Sequence, residues 1–285
     1  MRSFGFKIVE RDRDEIAPVV GRAQELGCPL EVGLYYGDGR ARRHLMEHLP
    51  RGGLPVVVHL DHRRLSLFRQ ESREAPLREQ LDLAARLGAG YVITHVAPYP
   101  MTPRPERRTE VLERLLTGLG FTLGLCADYG LGLHIENTYH NLAFYRGLFQ
   151  AAADAGLEGA HFCFDLGHGK VWSTQRLGDW LGFLGDLDQA GARIHFHLHA
   201  NGGLNDDHLS FPAADRLCIT GPDGYTGPWD SYEAMAEIAA RFPASIKVFE
   251  VPAGEAIANR DHVLGRIAAL ARPTLGSLSD RHLGP

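Results

Sequence analysis

Residues 131–138 read LGLHIENT and residues 161–168 read HFCFDLGH. Each contains a short apolar run that stops on a carboxylate, Glu136 in the first and Asp165 in the second. Four more runs stop in the same way: VVVH at 56–59, YVITH at 91–95, IHFH at 194–197 and KVFE at 247–250 end on His59, His95, His197 and Glu250. Short Val, Ile and Phe runs separated by helical-looking segments predict buried parallel strands. An eight-stranded parallel barrel brings the C-terminal ends of its strands to one face. Three histidines and three carboxylates at such ends therefore predict a cluster around bound metal, since charged groups are seldom buried without partners.

Working outward, strands are expected at Phe4–Val9, Leu30–Tyr35, Val56–His59, Tyr91–His95, Leu131–Glu136, His161–Asp165, Ile194–His197 and Ile246–Glu250. Between them lie amphipathic stretches such as APLREQLDLAARLG at 75–88, whose leucines recur at three- and four-residue steps. Gly88, Gly130 and Gly191 fall where a helix must hand over to a strand, a turn that a left-handed residue makes easily. The expected fold is α/β, a (β/α)8 barrel over residues 1–273 as one domain, with residues 274–285 as a frayed tail. The stretch Asn201 to Trp229 shows no helical period and is expected to be a long loop on the functional face, carrying Asp206, Asp207 and His208.

Composition narrows the function classes. Hydrophobic residues at 44% and charged residues at 23% fit an ordinary soluble globular chain. A net charge of -5 gives no overall attraction to nucleic acid, although arginines cluster after strands two, three and four at Arg40, Arg42, Arg43, Arg63, Arg64, Arg69, Arg104, Arg107 and Arg108. No apolar stretch is long enough to cross a bilayer and the first residues have no signal-peptide core, so a cytoplasmic location without membrane contact is expected. Cys28, Cys126, Cys163 and Cys218 form no CxxC pair and are assigned no chemistry. Tyr35, Tyr36, Tyr99, Tyr139, Trp172, Tyr225 and Trp229 fall in or beside loops expected around the mouth, where rings suit stacking on a sugar or base.

Alternation along a strand puts His195, His197 and His199 on one face, and likewise His134 with Glu136, so spacing alone does not choose among them. The strings LHIENT, FDLGH, HLH at 197–199 and DDH at 206–208 resemble the xylose isomerase-like barrel superfamily (AP endonuclease family 2), and its endonuclease IV branch in particular. That resemblance implies up to three divalent ions, zinc first, with manganese or iron as alternatives. It assigns His59, His95 and Glu136 to the first ion, Glu136, Asp165, His197 and Glu250 to the second, and His168, Asp206 and His208 to the third. The implied activity is phosphoester hydrolysis by a hydroxide held between metals, on abasic DNA or on a small phosphorylated metabolite.

The sugar isomerase and epimerase branch of the same superfamily supplies the alternative. It uses one metal at Glu136, Asp165, His197 and Glu250, with Glu136 and Glu250 as the acid/base pair and His168 against the substrate. Glu136, Glu250 and His168 are thus the expected catalytic residues on either reading. A barrel that only binds its ligand is the third class. Two departures from the endonuclease IV pattern bear on the substrate: Ala200 stands where an acidic residue usually follows the seventh-strand histidine, and His62 stands where an aromatic usually presses into the DNA stack.

Overall fold

The computed structural model describes residues 2–35, 39–49, 52–221 and 229–270. Eight strands, β1 (Phe4–Val9), β2 (Leu30–Gly33), β3 (Val56–His59), β4 (Ala89–His95), β5 (Gly132–Glu136), β6 (Ala160–Asp165), β7 (Ile194–Leu198) and β8 (Lys247–Phe249), close into one parallel barrel in chain order. All eight lie where the apolar runs predict them. Each crossover carries helix: α1 (Arg13–Leu26), α2 (Gly39–His48), α3 (Glu74–Arg86), α4 (Arg108–Asp128), α5 (Leu142–Asp154), α6 (Leu166–Val171) with α7 (Leu177–Gln189), then α8 (Phe211–Arg216) with α9 (Ser231–Arg241), and finally α10 (Ala253–Leu270). Gly88, Gly130 and Gly191 take positive φ of 71°, 68° and 89° at the ends of α3, α4 and α7, as the handover requires.

Two packed layers result from strand alternation. Outward residues such as Phe6, Ile8, Phe162, Phe164 and Phe196 join helix residues such as Ile16, Leu115 and Trp180 in the main core. A separate cluster of Val57, Ile93 and Cys163, flanked by Tyr91 and Ile246, fills the barrel interior. Polar side chains occupy the inward positions above and below that plug. The three buried cysteines and the exposed Cys218 are all free.

The stretch after β7 corrects one expectation, because it is not an uninterrupted loop. Ala200 and Leu209 exchange backbone hydrogen bonds of 3.0 and 2.8 Å in an antiparallel bridge. The Ser210 hydroxyl then accepts from the Ala213 amide and caps α8, with Pro212 in its first turn. Six residues are too few to display a helical period, yet the order Ser-Phe-Pro is a helix-start signal. Residues 222–228, and with them Tyr225, lie outside the described residues, as do Tyr36 and the expected tail.

Candidate metal centre

The nine expected ligand residues converge at the C-terminal mouth of the barrel. His59 Nε2 and His95 Nε2 lie 2.7 and 3.0 Å from Oε2 of Glu136. Oε1 of Glu136 faces the other way, 3.2 Å from His168 Nδ1 and 3.4 Å from His197 Nδ1. Beyond it, His168 Nε2 and His208 Nε2 reach the same Asp206 Oδ2 at 3.2 and 2.8 Å. One oxygen atom of each ligand-type carboxylate, or one ring nitrogen, from Glu136, Asp165, His197 and Glu250 falls within a 4.8 Å span.

Local structure explains the aim of each ring. His59 Nδ1 donates to the Leu60 carbonyl at 2.8 Å, His168 Nδ1 to the Asn137 carbonyl at 2.7 Å, and His208 Nδ1 to the Glu250 carbonyl at 3.2 Å. A carbonyl only accepts, so the facing nitrogen carries the proton and the opposite nitrogen is the one offered to the cluster. His197 is turned over: its Nε2 is held 2.9 Å from Glu31 Oε2, and Nδ1 faces the carboxylates. Anchoring one imidazole nitrogen while the other points at a cation is how metal-binding histidines are commonly oriented.

Backbone connectivity fixes the carboxylates. Asp165 ends β6 and also caps α6, accepting from the His168 amide at 2.7 Å, so the FDLGH string is a strand end, a cap and a first helical turn in five residues. Asn137 splices the neighbouring strands: its Nδ2 donates to the Asp165 carbonyl at 3.0 Å and its Oδ1 accepts from the Asp165 amide at 2.6 Å. Gly167 keeps room for a ring, since a Cβ there would lie 2.2 Å from the His199 imidazole.

The electrostatics suit a cation. Burial alone would raise the Glu136 carboxyl, but His95 and His197 beside it and hydrogen bonds from His168 and His197 hold it well below the usual range. Glu250 is likewise driven up by burial and, on balance, pulled well down by Lys7, His197 and His208. Burial disfavours the charged form of His168, yet Asp165 and Asp206 raise it well above its ordinary value, and Glu250 and Asp206 lift His208 to about 9 against the same penalty. Paired charges of this kind are what a divalent ion would replace. A sign of fit is that His197 Nδ1 and Glu250 Oε2 lie 2.9 Å apart as a buried ion pair whose geometry falls short of a full hydrogen bond, which leaves both atoms open to a cation.

Four residues of the site carry no strand-end signal. His199, two past the end of the His197 run, places Nε2 2.9 and 3.0 Å from the two oxygens of Asp165 and stacks 4.2 Å from His208. It stands with His168, Asp206 and His208 in one ligand-type group, and His62 stands with His59 and His95 in another. Burial drops His62 to about 2, which leaves it a neutral ring with a buried, unpartnered Nδ1. Below the mouth, Lys7 on β1 spans Glu31 at 3.0 Å and Glu250 at 2.5 Å. A lysine within FGFKIV and a glutamate within LEVG, each charged inside an apolar run, are the signals that mark them.

Lys7, His62, Glu136, His168 and Glu250 help to line a cavity of about 670 Å3 whose walls include Tyr35, Tyr139, Trp172 and Arg63. That is the scale of a small-molecule site. The arginines after strands two, three and four have different surroundings. Arg42 is engaged by Glu10 at 2.8 Å and by Glu79, and Arg107 by Glu110 at 2.5 Å, while Arg104 and Arg108 line a separate hollow. Trp229 is buried and Tyr99 projects into solvent, so neither borders the cavity.

Comparison with known proteins agrees with this architecture. The uncharacterized protein MJ1311 of Methanocaldococcus jannaschii is 25% identical over 201 residues, 66% of this chain and 64% of its own. The uncharacterized protein y4fM of Sinorhizobium fredii is 27% identical over 217 residues, 72% of this chain and 60% of its own. The chain therefore spans less than two thirds of the length of these curated relatives. Among solved structures, the TTHB071 protein from Thermus thermophilus, soaked with ZnCl2, superposes with a TM-score of 0.68 at 22% identity, covering 95% of this chain and all of that one. A D-tagatose 3-epimerase-like protein gives 0.65 at 16% identity over 94% of this chain and 100% of its own, and a 3-keto-D-glucoside 4-epimerase from E. coli gives 0.62 at 15% over 94% and 100%. At such identities the likeness is one of fold. A family model described as a xylose isomerase-like TIM barrel matches residues 5–259, and the chain belongs to that family.

Proposed function

We propose that the protein is a divalent-metal-dependent isomerase or epimerase that moves a proton between neighbouring carbons of a small sugar or sugar phosphate. One observation carries this reading: Glu136, Asp165, His197 and Glu250 close to within 4.8 Å of one another, and two of them, Glu136 and Glu250, line a cavity sized for a small molecule. A divalent ion bound there would polarise a hydroxy-ketone and acidify the adjacent C–H. Glu136 and Glu250 are both held as carboxylates by their surroundings, so either can take the proton from carbon, and the carboxylic acid it then becomes returns that proton to the neighbouring carbon. His168 and Trp172, with rings 4.8 Å apart, border the place where the substrate would lie.

A specific observation supports phosphoester hydrolysis as a second reading. His59 and His95 meet on one oxygen of Glu136 while His168 and His197 approach the other, an arrangement suited to a carboxylate shared by two ions. The cavity scale and the scattered, partly neutralised arginines fit a small phosphorylated metabolite better than DNA.

The deciding experiment incubates metal-loaded protein with ketoses, aldoses and their phosphates in D2O. Solvent deuterium appearing on carbon beside the carbonyl, lost in Glu136→Gln and Glu250→Gln, is the expected result, with about one metal equivalent per chain. Phosphate release without carbon-bound deuterium, and two or three equivalents of metal, would transfer the assignment to the hydrolase.

A further inference from the structure

Beside the catalytic cavity, between the segment 100–112 and the start of α5, lies a second hollow of about 620 Å3. Tyr139 and Trp172 line both spaces, and their rings pack edge to face at 4.8 Å. Met101, Val111, Leu112 and Phe144 make the rest of its lining largely apolar. At its rim stand the exposed guanidinium groups of Arg104 and Arg108. Among the described residues neither has a carboxylate partner, although Arg107 between them is paired with Glu110. Inside, the His140 ring stacks 4.2 Å from Phe144, and its Nε2 is buried without a hydrogen-bond partner.

We infer that this hollow is a substrate subsite for an apolar ring bearing an anionic group, attached to the sugar that reacts at the carboxylate cluster. The inference rests on the proposed role of the mouth cavity as the catalytic one and extends it by naming the substrate class: a sugar with an aryl or heteroaryl substituent that carries phosphate or carboxylate. Tyr139 and Trp172 stand on the boundary of both spaces, so the hollow lies directly beside the mouth cavity and a substituent on a molecule bound there is placed next to it. An uncompensated guanidinium pair at the rim calls for an anion. Phe144, Tyr139 and Trp172 offer faces and edges to a flat ring, and the unpartnered His140 nitrogen offers it one hydrogen bond. Burying such a ring contributes about 10- to 100-fold in affinity.

The test uses 1-naphthyl phosphate as probe, the full-length chain, and EDTA throughout, so that phosphate has no metal to bind. Titration calorimetry and tryptophan fluorescence should find one site that binds 1-naphthyl phosphate at least tenfold more tightly than 1-naphthol or inorganic phosphate. Ala143→Trp, at an exposed position on the hollow's wall, should weaken the probe at least tenfold. The double variant Arg104→Glu/Arg108→Glu should abolish the preference for the phosphorylated probe while leaving 1-naphthol unchanged, and so covers the case in which Ala143→Trp misfolds. Affinity within twofold of wild type in folded variants, or no binding to wild type at all, overturns the subsite. Because no metal or turnover is involved, that result is separate from the deuterium experiment, which alone decides the isomerase reading.

Discussion

Two lysines of this barrel are buried and have opposite fates. Lys7 projects into the barrel between Glu31 and Glu250, and those carboxylates overcome the cost of burial and hold its ammonium well above the ordinary value. Lys247 opens β8 on the outward side, between the rings of Phe4 and Phe196, and donates to the carbonyls of Phe242 and Ser245 at 2.5 and 2.8 Å. Lacking an anion, it is pushed down by burial to about 8. Burial is common to both, so the partner decides the charge. The mouth of the barrel is a place where charges are kept, and the opposite end is one where a charge is barely tolerated.

Breaking the Lys7 side should have the largest effect. Lys7→Met leaves Glu31 and Glu250 with His197 and His208 as their remaining cationic neighbours and should cost about 3 kcal/mol in metal-free protein, the lower end for breaking a buried pair, read from urea unfolding in EDTA. Adding Glu31→Gln should recover part of that loss; a double variant no more stable than the single one would show that Lys7 acts by packing alone. Next in size is the metal itself. A bound divalent ion at a hundredfold excess over Kd would stabilise the fold by about 2.7 kcal/mol, raising Tm by roughly 5–10 °C over the EDTA-treated protein in scanning calorimetry. No shift with zinc, manganese or iron would remove the candidate centre.

Smaller again is the effect of the anchor beneath His197. Glu31→Gln should weaken metal binding about 10–100-fold, measured by competition with a chromophoric chelator, because Glu31 fixes which imidazole nitrogen faces the carboxylates. Last is the titration of Lys247. Its folded value lies below the ~10.4 of an unfolded lysine, so between about pH 8 and 10.4 the unfolded chain holds the extra proton and stability rises with pH. Below about pH 8 both states are protonated and the penalty is constant. Lys247→Met should flatten this rise when urea midpoints are followed from pH 7.5 to 10; an unchanged slope would mean that the ammonium is better solvated than its surroundings imply.

The difference between the lysines also explains what could be read from sequence. Strand ends were legible because an apolar run must stop somewhere, and stopping on Glu136 or Asp165 marks both the end of a strand and a buried charge. Lys7 and Glu31 sit in mid-strand, side by side on neighbouring strands, where alternation sets the face but says nothing of the register that pairs them. Their meaning depends on closure, which only the assembled sheet supplies. His199 and His62 lie beyond strand ends, where the period of two lapses and loop geometry takes over. The arginines show the same limit: their clustering could be read from the sequence, but not that Glu10 and Glu79 engage Arg42 and Glu110 engages Arg107.

The amide of Asn137 reaches from one strand end to the next and grips both the carbonyl and the N–H of Asp165. Glu136, covalently joined to Asn137, is thereby spaced from Asp165 by one peptide link and two hydrogen bonds rather than by the loops above. A loop at this mouth can therefore be altered without moving the two carboxylates apart, so a change of the cavity wall and a change of any ion held at its base are separable.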